Sequence, residues 1–384
     1  MKIFNKSEWK KVKLGDICEV ITGNTPLKKV KEYWDKDEVP FITPPELKYE
    51  GINYITPSIF VSKIGAKQGR IIPKNSICVC CIGSLGKLGI LKEDGITNQQ
   101  INSLILKDKN IDLLYLYFYL KTIKNNLEAT ASSTTVKIIN KSSFEKIEIN
   151  LPSLEIQKKI SKKLELLENN INFRKLQLNS LNELSKSLFT TMFGDIKTND
   201  KNWEIKKLKE LVEIKSFIIN ENLNSIWLLN LEDIEPNTGK LIKKREVSFK
   251  NIPSSTISFN ENYVLYSKLR PYLNKVFLPD EKGFGTSELV PLLPKKNIHK
   301  IFLTEYLRND KIVDFLSQKV SGAKMPRIIM KEFQDLNLIF PPIELQNKFA
   351  ERIEKIEKLK FEIEKSIEEA QKLYDSLISK YFDN

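Results

Sequence analysis

Two stretches of this chain carry apolar residues at alternating steps of four and three. The first stripe runs through Ile160, Leu164, Leu167, Ile171, Arg174, Leu178, Leu181, Ser185, Leu188 and Met192. The second runs through Phe349, Ile353, Ile356, Lys360, Ile363, Ile367, Ala370, Tyr374, Leu377 and Tyr381. Such spacing keeps its members on one helix face, and over this many turns it predicts a coiled coil rather than an ordinary surface helix. Gly194 suits the stop after the first helix and Pro342 the first turn of the second. Each helix should measure about 55–60 Å at ~1.5 Å per residue.

The two stripes are copies, since each member of the first recurs 189 positions later in the second. The same offset carries the run Leu151 to Ile160 (LPSLEIQKKI) onto Phe340 to Phe349 (FPPIELQNKF). At the start of each copy, Trp9-Lys10-Lys11-Val12-Lys13-Leu14 resembles Trp203-Glu204-Ile205-Lys206-Lys207-Leu208. The chain therefore divides into a block (1–152), a helix (153–195), a second block (196–341) and a second helix (342–384). Each helix could pack on its own block alone, but two equally phased stripes in one chain favour packing on each other. The long second block makes an antiparallel pair easy to connect and relates the halves by an approximate two-fold axis. Arg174, Ser185 and Lys360 interrupt the seam, either to fix register or as solvated defects.

Each block reads as α+β. The stretch Ile71 to Ile82 and the run Tyr263-Val264-Leu265-Tyr266 have strand composition, ended by Gly83 and by Ser267-Lys268. Residues 112–123 and 301–316 have helical apolar spacing at similar points of the two blocks. Likeness between the blocks is clear at their edges and faint in their middles. Two copies that share a frame and differ inside suit two readers of different targets.

Charge sharpens this picture. Lys and Arg outnumber Asp and Glu by 62 to 49, a net +13. Residues 154–193 carry a net +3 and residues 343–384 a net −2, so +12 lies outside these two stretches. A basic surplus concentrated there points to nucleic acid. Cys78, Cys80 and Cys81 match no zinc spacing and read as small apolar residues in a buried strand of a reduced, cytoplasmic protein. No run of about 20 apolar residues is present to span a membrane, and the basic start lacks the apolar core of a signal peptide.

The order of these features resembles the specificity subunits of type I restriction-modification systems over nearly the whole length. The resemblance rests on the openings at Trp9 and Trp203 and on Pro40-Phe41-Ile42-Thr43-Pro44-Pro45-Glu46-Leu47. It also rests on the segment Tyr266 to Lys275 (YSKLRPYLNK), with Gly83 to Gly89 at the equivalent place, and on the runs Phe144 to Gln157 and Phe333 to Gln346. It implies two globular target-recognition domains joined by an antiparallel coiled coil, on which two methyltransferase subunits dock. Through that complex the restriction and translocase subunits become partners. Methyl transfer and ATP-driven cleavage belong to those partners, so this chain is expected to be non-catalytic and to bind no cofactor.

The residues agree with that expectation. The one histidine, His299, lies in a surface-like Lys-Lys-Asn-Ile-His-Lys stretch, which argues against histidine-based catalysis or a multi-histidine metal centre. There is no glycine-rich phosphate loop. Thr43-Pro44-Pro45-Glu46 superficially resembles the catalytic loop of amino-methyltransferases but lacks the Asn or Asp before the prolines and the aromatic residue after them. Candidate contacts to double-stranded DNA are basic or amide residues in loops. In the first block they are Lys28, Lys29, Lys31, Lys87, Asn98, Gln99, Ser133, Thr134, Thr135 and Lys137. In the second they are Lys268, Arg270, Tyr272, Lys275, Thr286, Ser287, Lys324 and Arg327. Rival readings are a specificity subunit of another restriction-modification class and a coiled-coil adaptor between protein-binding domains. A monomeric methyltransferase fails on its missing cofactor motif.

Overall fold

The computed structural model describes residues 6–122, 137–219, 224–322 and 324–383. By packing, the chain falls into two units: Met1–Gln177 with Ile363–Asn384, and Leu178–Glu362. Both predicted long helices form, as Leu154–Phe193 and Ile343–Phe382, each 40 residues. Gly194 ends the first with φ +80°, a left-handed conformation open to glycine at little cost. Pro342 stands just before the second helix and its carbonyl accepts from the Leu345 and Gln346 amides.

Each helix is shared between the units. In the first unit, Ile160, Leu164, Leu167 and Ile171 pack in one core with Ile367, Ala370, Tyr374, Leu377 and Tyr381. In the second, Leu181, Leu188 and Met192 share a core with Phe349, Ile353 and Ile356. The beginning of each helix thus meets the end of the other, so the pair is antiparallel. Leu178 and Ile363, nearest the middle, are only half-buried. Of the polar seam residues, Ser185 is buried and gives its hydroxyl to the Leu181 carbonyl, whereas Lys360 turns to Glu357 on its own helix.

The α+β blocks repeat one topology. The first has a four-stranded antiparallel sheet in the order Cys18–Thr22, Ile101–Leu106, Ile77–Cys80, Leu88–Ile90. The second repeats it as Val212–Ile214, Leu289–Pro294, Val264–Ser267, Val276–Phe277. Beside it, Val39–Ile42 runs parallel to Ile96–Thr97, as Ser225–Leu229 runs parallel to Gly283–Gly285. A two-stranded clamp joins the start of each block to its end, Lys10 opposite Leu151 and Glu204 opposite Phe340.

Alternating burial explains the cysteines. Cys78 and Cys80 point into one core while Cys81 belongs to another, and burial pushes the thiols of Cys78 and Cys81 up to about 12. The helix predicted over 301–316 is broken in two, Lys300–Arg308 and Asp310–Ser317. Asn309 causes the break by accepting the Lys311 amide with its side chain, which starts a new helix.

The ends of the long helices are held by a buried glutamine that occurs twice. Gln157 gives Nε2 to the Pro152 carbonyl at 2.8 Å and accepts the Asp112 amide on Oε1 at 2.9 Å. Gln346 repeats this with Pro341 at 2.8 Å and the His299 amide at 2.9 Å. Both are at most 1% exposed, so each fully used amide fixes where its helix leaves the block. His299 is correspondingly no loose surface group: its Nδ1 accepts the Ile301 amide and caps a helix.

Candidate nucleic-acid interface

In the second block three loops meet at the end of strand Val264–Ser267. The Lys268 amide donates to the Glu288 carbonyl at 2.9 Å, the Arg270 amide to Pro326 at 2.8 Å, and the Ile328 amide to Lys268 at 2.9 Å. Leu269 bridges Arg327, and the Arg327 guanidinium lies against the Glu288 carboxylate, with Nε–Oε1 at 3.0 Å and Nη2–Oε1 at 2.8 Å. That carboxylate holds the guanidinium pKa above its already high ordinary value.

The first block has the same knot. The Cys81 amide donates to Gln100 at 2.8 Å, Gly83 to Lys137 at 3.0 Å and Ile139 to Cys81 at 2.9 Å, while Ile82 bridges Ile138. These bonds set Cys81 on Lys268, Gly83 on Arg270, Gln100 on Glu288 and Ile138 on Arg327. Gly83 and Arg270 share a left-handed backbone, φ +79° and +52°. In the glycine this costs little, whereas the arginine carries about 1–2 kcal/mol.

The structure sorts the sequence candidates. Lys268, Arg270, Thr286, Ser287 and Arg327 come together in this knot, with Lys324 exposed on the same loop as Arg327. The side chains of Lys268, Arg270 and Lys324 pair with no described residue. Tyr272 is 53% exposed beside them. Lys275 departs from expectation: its Nζ turns inward to the Leu231 carbonyl at 2.6 Å, and burial lowers its pKa. It ties the loop to a neighbouring turn instead of reaching outward.

Asn98 is likewise buried, accepting the Gln100 amide on Oδ1, just as Thr286 Oγ1 accepts from Glu288. Both shape a turn and leave the next residue, Gln99 or Ser287, exposed. Thr25 Oγ1 reaches Gln99 Oε1 at 2.7 Å and so brings the loop of Lys28, Lys29 and Lys31 to the first knot, with all three lysines exposed. Lys87 lies over the Tyr49 ring at 5.6 Å. Lys137 contributes its carbonyl. Ser133, Thr134 and Thr135 lie outside the described residues.

The methyltransferase-like segment has a structural explanation. Glu46 accepts from the Thr43 amide and hydroxyl at 2.9 and 2.7 Å, a capping box. The equivalent turn of the second block does the same with Asn230 and Asp233 at 3.0 Å. Among the described residues no group of His, Cys, Asp and Glu is arranged to hold a metal, and no helix is long and apolar enough to cross a membrane.

Two loop knots with the same backbone bonds and different side chains thus recur, one in each block. The chain belongs to the type I restriction modification DNA specificity domain family, whose model matches residues 6–183 and again 200–372. It is 26% identical over 406 residues to the type I restriction enzyme MjaIX specificity subunit of Methanocaldococcus jannaschii, covering 97% of this chain and 92% of that one. With the HindI specificity subunit of Haemophilus influenzae it is 36% identical over 176 residues, 44% of this chain and 38% of the other. The fold is that of the type I restriction-modification S subunit from M. genitalium, TM-score 0.62 at 18% identity over 100% and 98% of the chains. A second solved chain, from a study of type I complex assembly, gives 0.57 at 15% identity over 100% and 99%.

Proposed function

We propose that this chain reads a split, asymmetric DNA sequence for a type I restriction-modification complex, one half-site per block. The observation that carries the reading is the duplicated knot, in which the same backbone bonds hold different side chains. Phosphates are met by the free lysines and arginines, which position the duplex without choosing a sequence. Base edges in the major groove are met by the exposed side chains that differ between the knots. The antiparallel helices set the unread gap between half-sites.

Two methyltransferase subunits dock on the helices, and restriction subunits join through them. Apolar residues left outside the seam support this docking: Leu166, Phe173 and Leu176 on the first helix, Leu359, Phe361 and Leu373 on the second. The chain is non-catalytic and works in the cytoplasm, where its buried thiols stay reduced.

The test is to map adenine methylation genome-wide in a host carrying this chain with its methyltransferase, against a deletion of this chain alone. Loss of a two-part motif in the deletion is the expected result. An unchanged methylome in an expressing host would favour the adaptor instead.

A further inference from the structure

Arg327 stands out because its guanidinium is both held and presented. Glu288 occupies one edge, taking Nε and Nη2, and the side chain is still 42% exposed. The edge formed by Nη1 and the second Nη2 proton bonds to no described residue. A planar fork braced along one side loses little further freedom when its open side binds. Two parallel donors on that edge match two acceptors in one plane, the arrangement that guanine offers through O6 and N7 in the major groove.

The first block shows what is special about this place. Its equivalent positions carry Ile138, which has no side-chain donor, and Gln100, which has no charge to brace one. Backbone bonds around both positions are the same, so the difference lies in the side chains alone.

We infer that Arg327 determines specificity for a guanine in the half-site read by the second block, with Glu288 as its positioning residue. The first block reads its half-site without a guanine contact from this position. This rests on the chain being a DNA reader. Arg270, although free and strained, has no brace, and it serves the phosphates.

The experiment uses the full chain with its methyltransferase subunits in a host without adenine methylation, mapping methylated motifs for wild type and three variants. Arg327→Ala should relax one G·C base pair of one half-site, lowering discrimination there by about 5- to 150-fold, with the other half-site unchanged. Arg327→Gln should move the same base pair toward A·T, because an amide pairs with adenine. Glu288→Gln, which copies Gln100, should weaken discrimination at that base pair and leave every other position intact.

If Arg327→Ala unfolds the chain and abolishes methylation, Glu288→Gln decides alone. An unaltered motif, or a uniform loss across all positions in a folded Arg327→Ala protein, overturns the inference. A wild type that yields no split motif overturns the DNA-reading function itself, a result distinct from failure of the arginine.

Discussion

The two knots are built with one pattern of backbone bonds and furnished in opposite ways. The second block spends charge: Arg270 in a strained backbone, Arg327 braced by Glu288, Lys268 and Lys324 unpaired. The first puts glycine, isoleucine and glutamine at the matching places and gathers its lysines on the loop reached through Thr25 and Gln99. Backbone bonds fix where side chains emerge whatever those side chains are, so the reading surface can change without disturbing the fold. The helices show the reverse, for there the repeated Gln157 and Gln346 keep both identity and partners. Sameness lies where each helix leaves its block, and difference on the exposed side of the knots.

The largest effect should come from making the two blocks alike. Replacing residues 204–340 with a second copy of 10–151 should turn the asymmetric motif into two inverted copies of the first half-site, visible in the methylome. A retained asymmetric motif would show that the knots do not choose the bases. Next in size is a buried pair found, among the described residues, in one unit only. Lys121 donates to Glu168, to the Tyr374 hydroxyl at 3.2 Å and to the Gly51 carbonyl at 3.3 Å, with the Glu168 side chain 7% exposed. Glu168→Ala strands a buried ammonium and should cost about 3–5 kcal/mol in urea unfolding. Its counterpart Glu357, exposed, should cost at most about 0.5 kcal/mol.

Gln157→Ala and Gln346→Ala should each cost about 2–3 kcal/mol, and by similar amounts, because each leaves a buried amide and carbonyl without partners. Clearly unequal losses would mean that the repeat is geometric but not energetic. Among the charges, Lys28→Ala with Lys29→Ala should reduce the salt slope of DNA binding by about 1 per lysine and leave base preference unchanged. Smallest is a pH effect confined to the second unit. Burial lowers the His299 pKa below its ordinary 6.5, favouring the neutral ring that caps the helix. The unfolded chain takes up the proton first, so stability is full above about 6.5 and falls below it. His299→Asn, a cap that does not titrate, should flatten that decline in a series of melts.

The long helices and the duplication were legible because a 4-3 stripe survives over many turns and a repeat is seen without knowing its fold. What the stripe hid was a second buried face. Phe189 and Phe193 fall off it, yet both pack on Phe302 and Phe349, because the helix ends touch a block as well as each other. The clamps Lys10–Lys13 with Glu148–Leu151 and Glu204–Lys207 with Asn337–Phe340 were not legible, since their partners are far apart in sequence and their faces lack alternation. At the interface, composition marked the loops and not the direction of a side chain. Lys275 and Asn98 look like contacts until burial and local bonding turn them inward. Gln157 and Gln346 had a signal that was available, a polar residue kept at the same point of both copies.

The meeting of Lys6 with Asp383, whose carbonyl accepts from the lysine ammonium, gives the molecule a topology that its linear order conceals. Each long helix ends at the opening of a block. Once this happens through a covalent link, where the Trp203 indole donates to the Phe193 carbonyl across Gly194, and once through the contact of Lys6 with Asp383. The two junctions are in this sense equivalent, one closed by the chain itself and the other by a hydrogen bond. Linking Asp383 to Lys6 and cutting between residues 195 and 202 would exchange the two junctions, the covalent one becoming the hydrogen-bonded one.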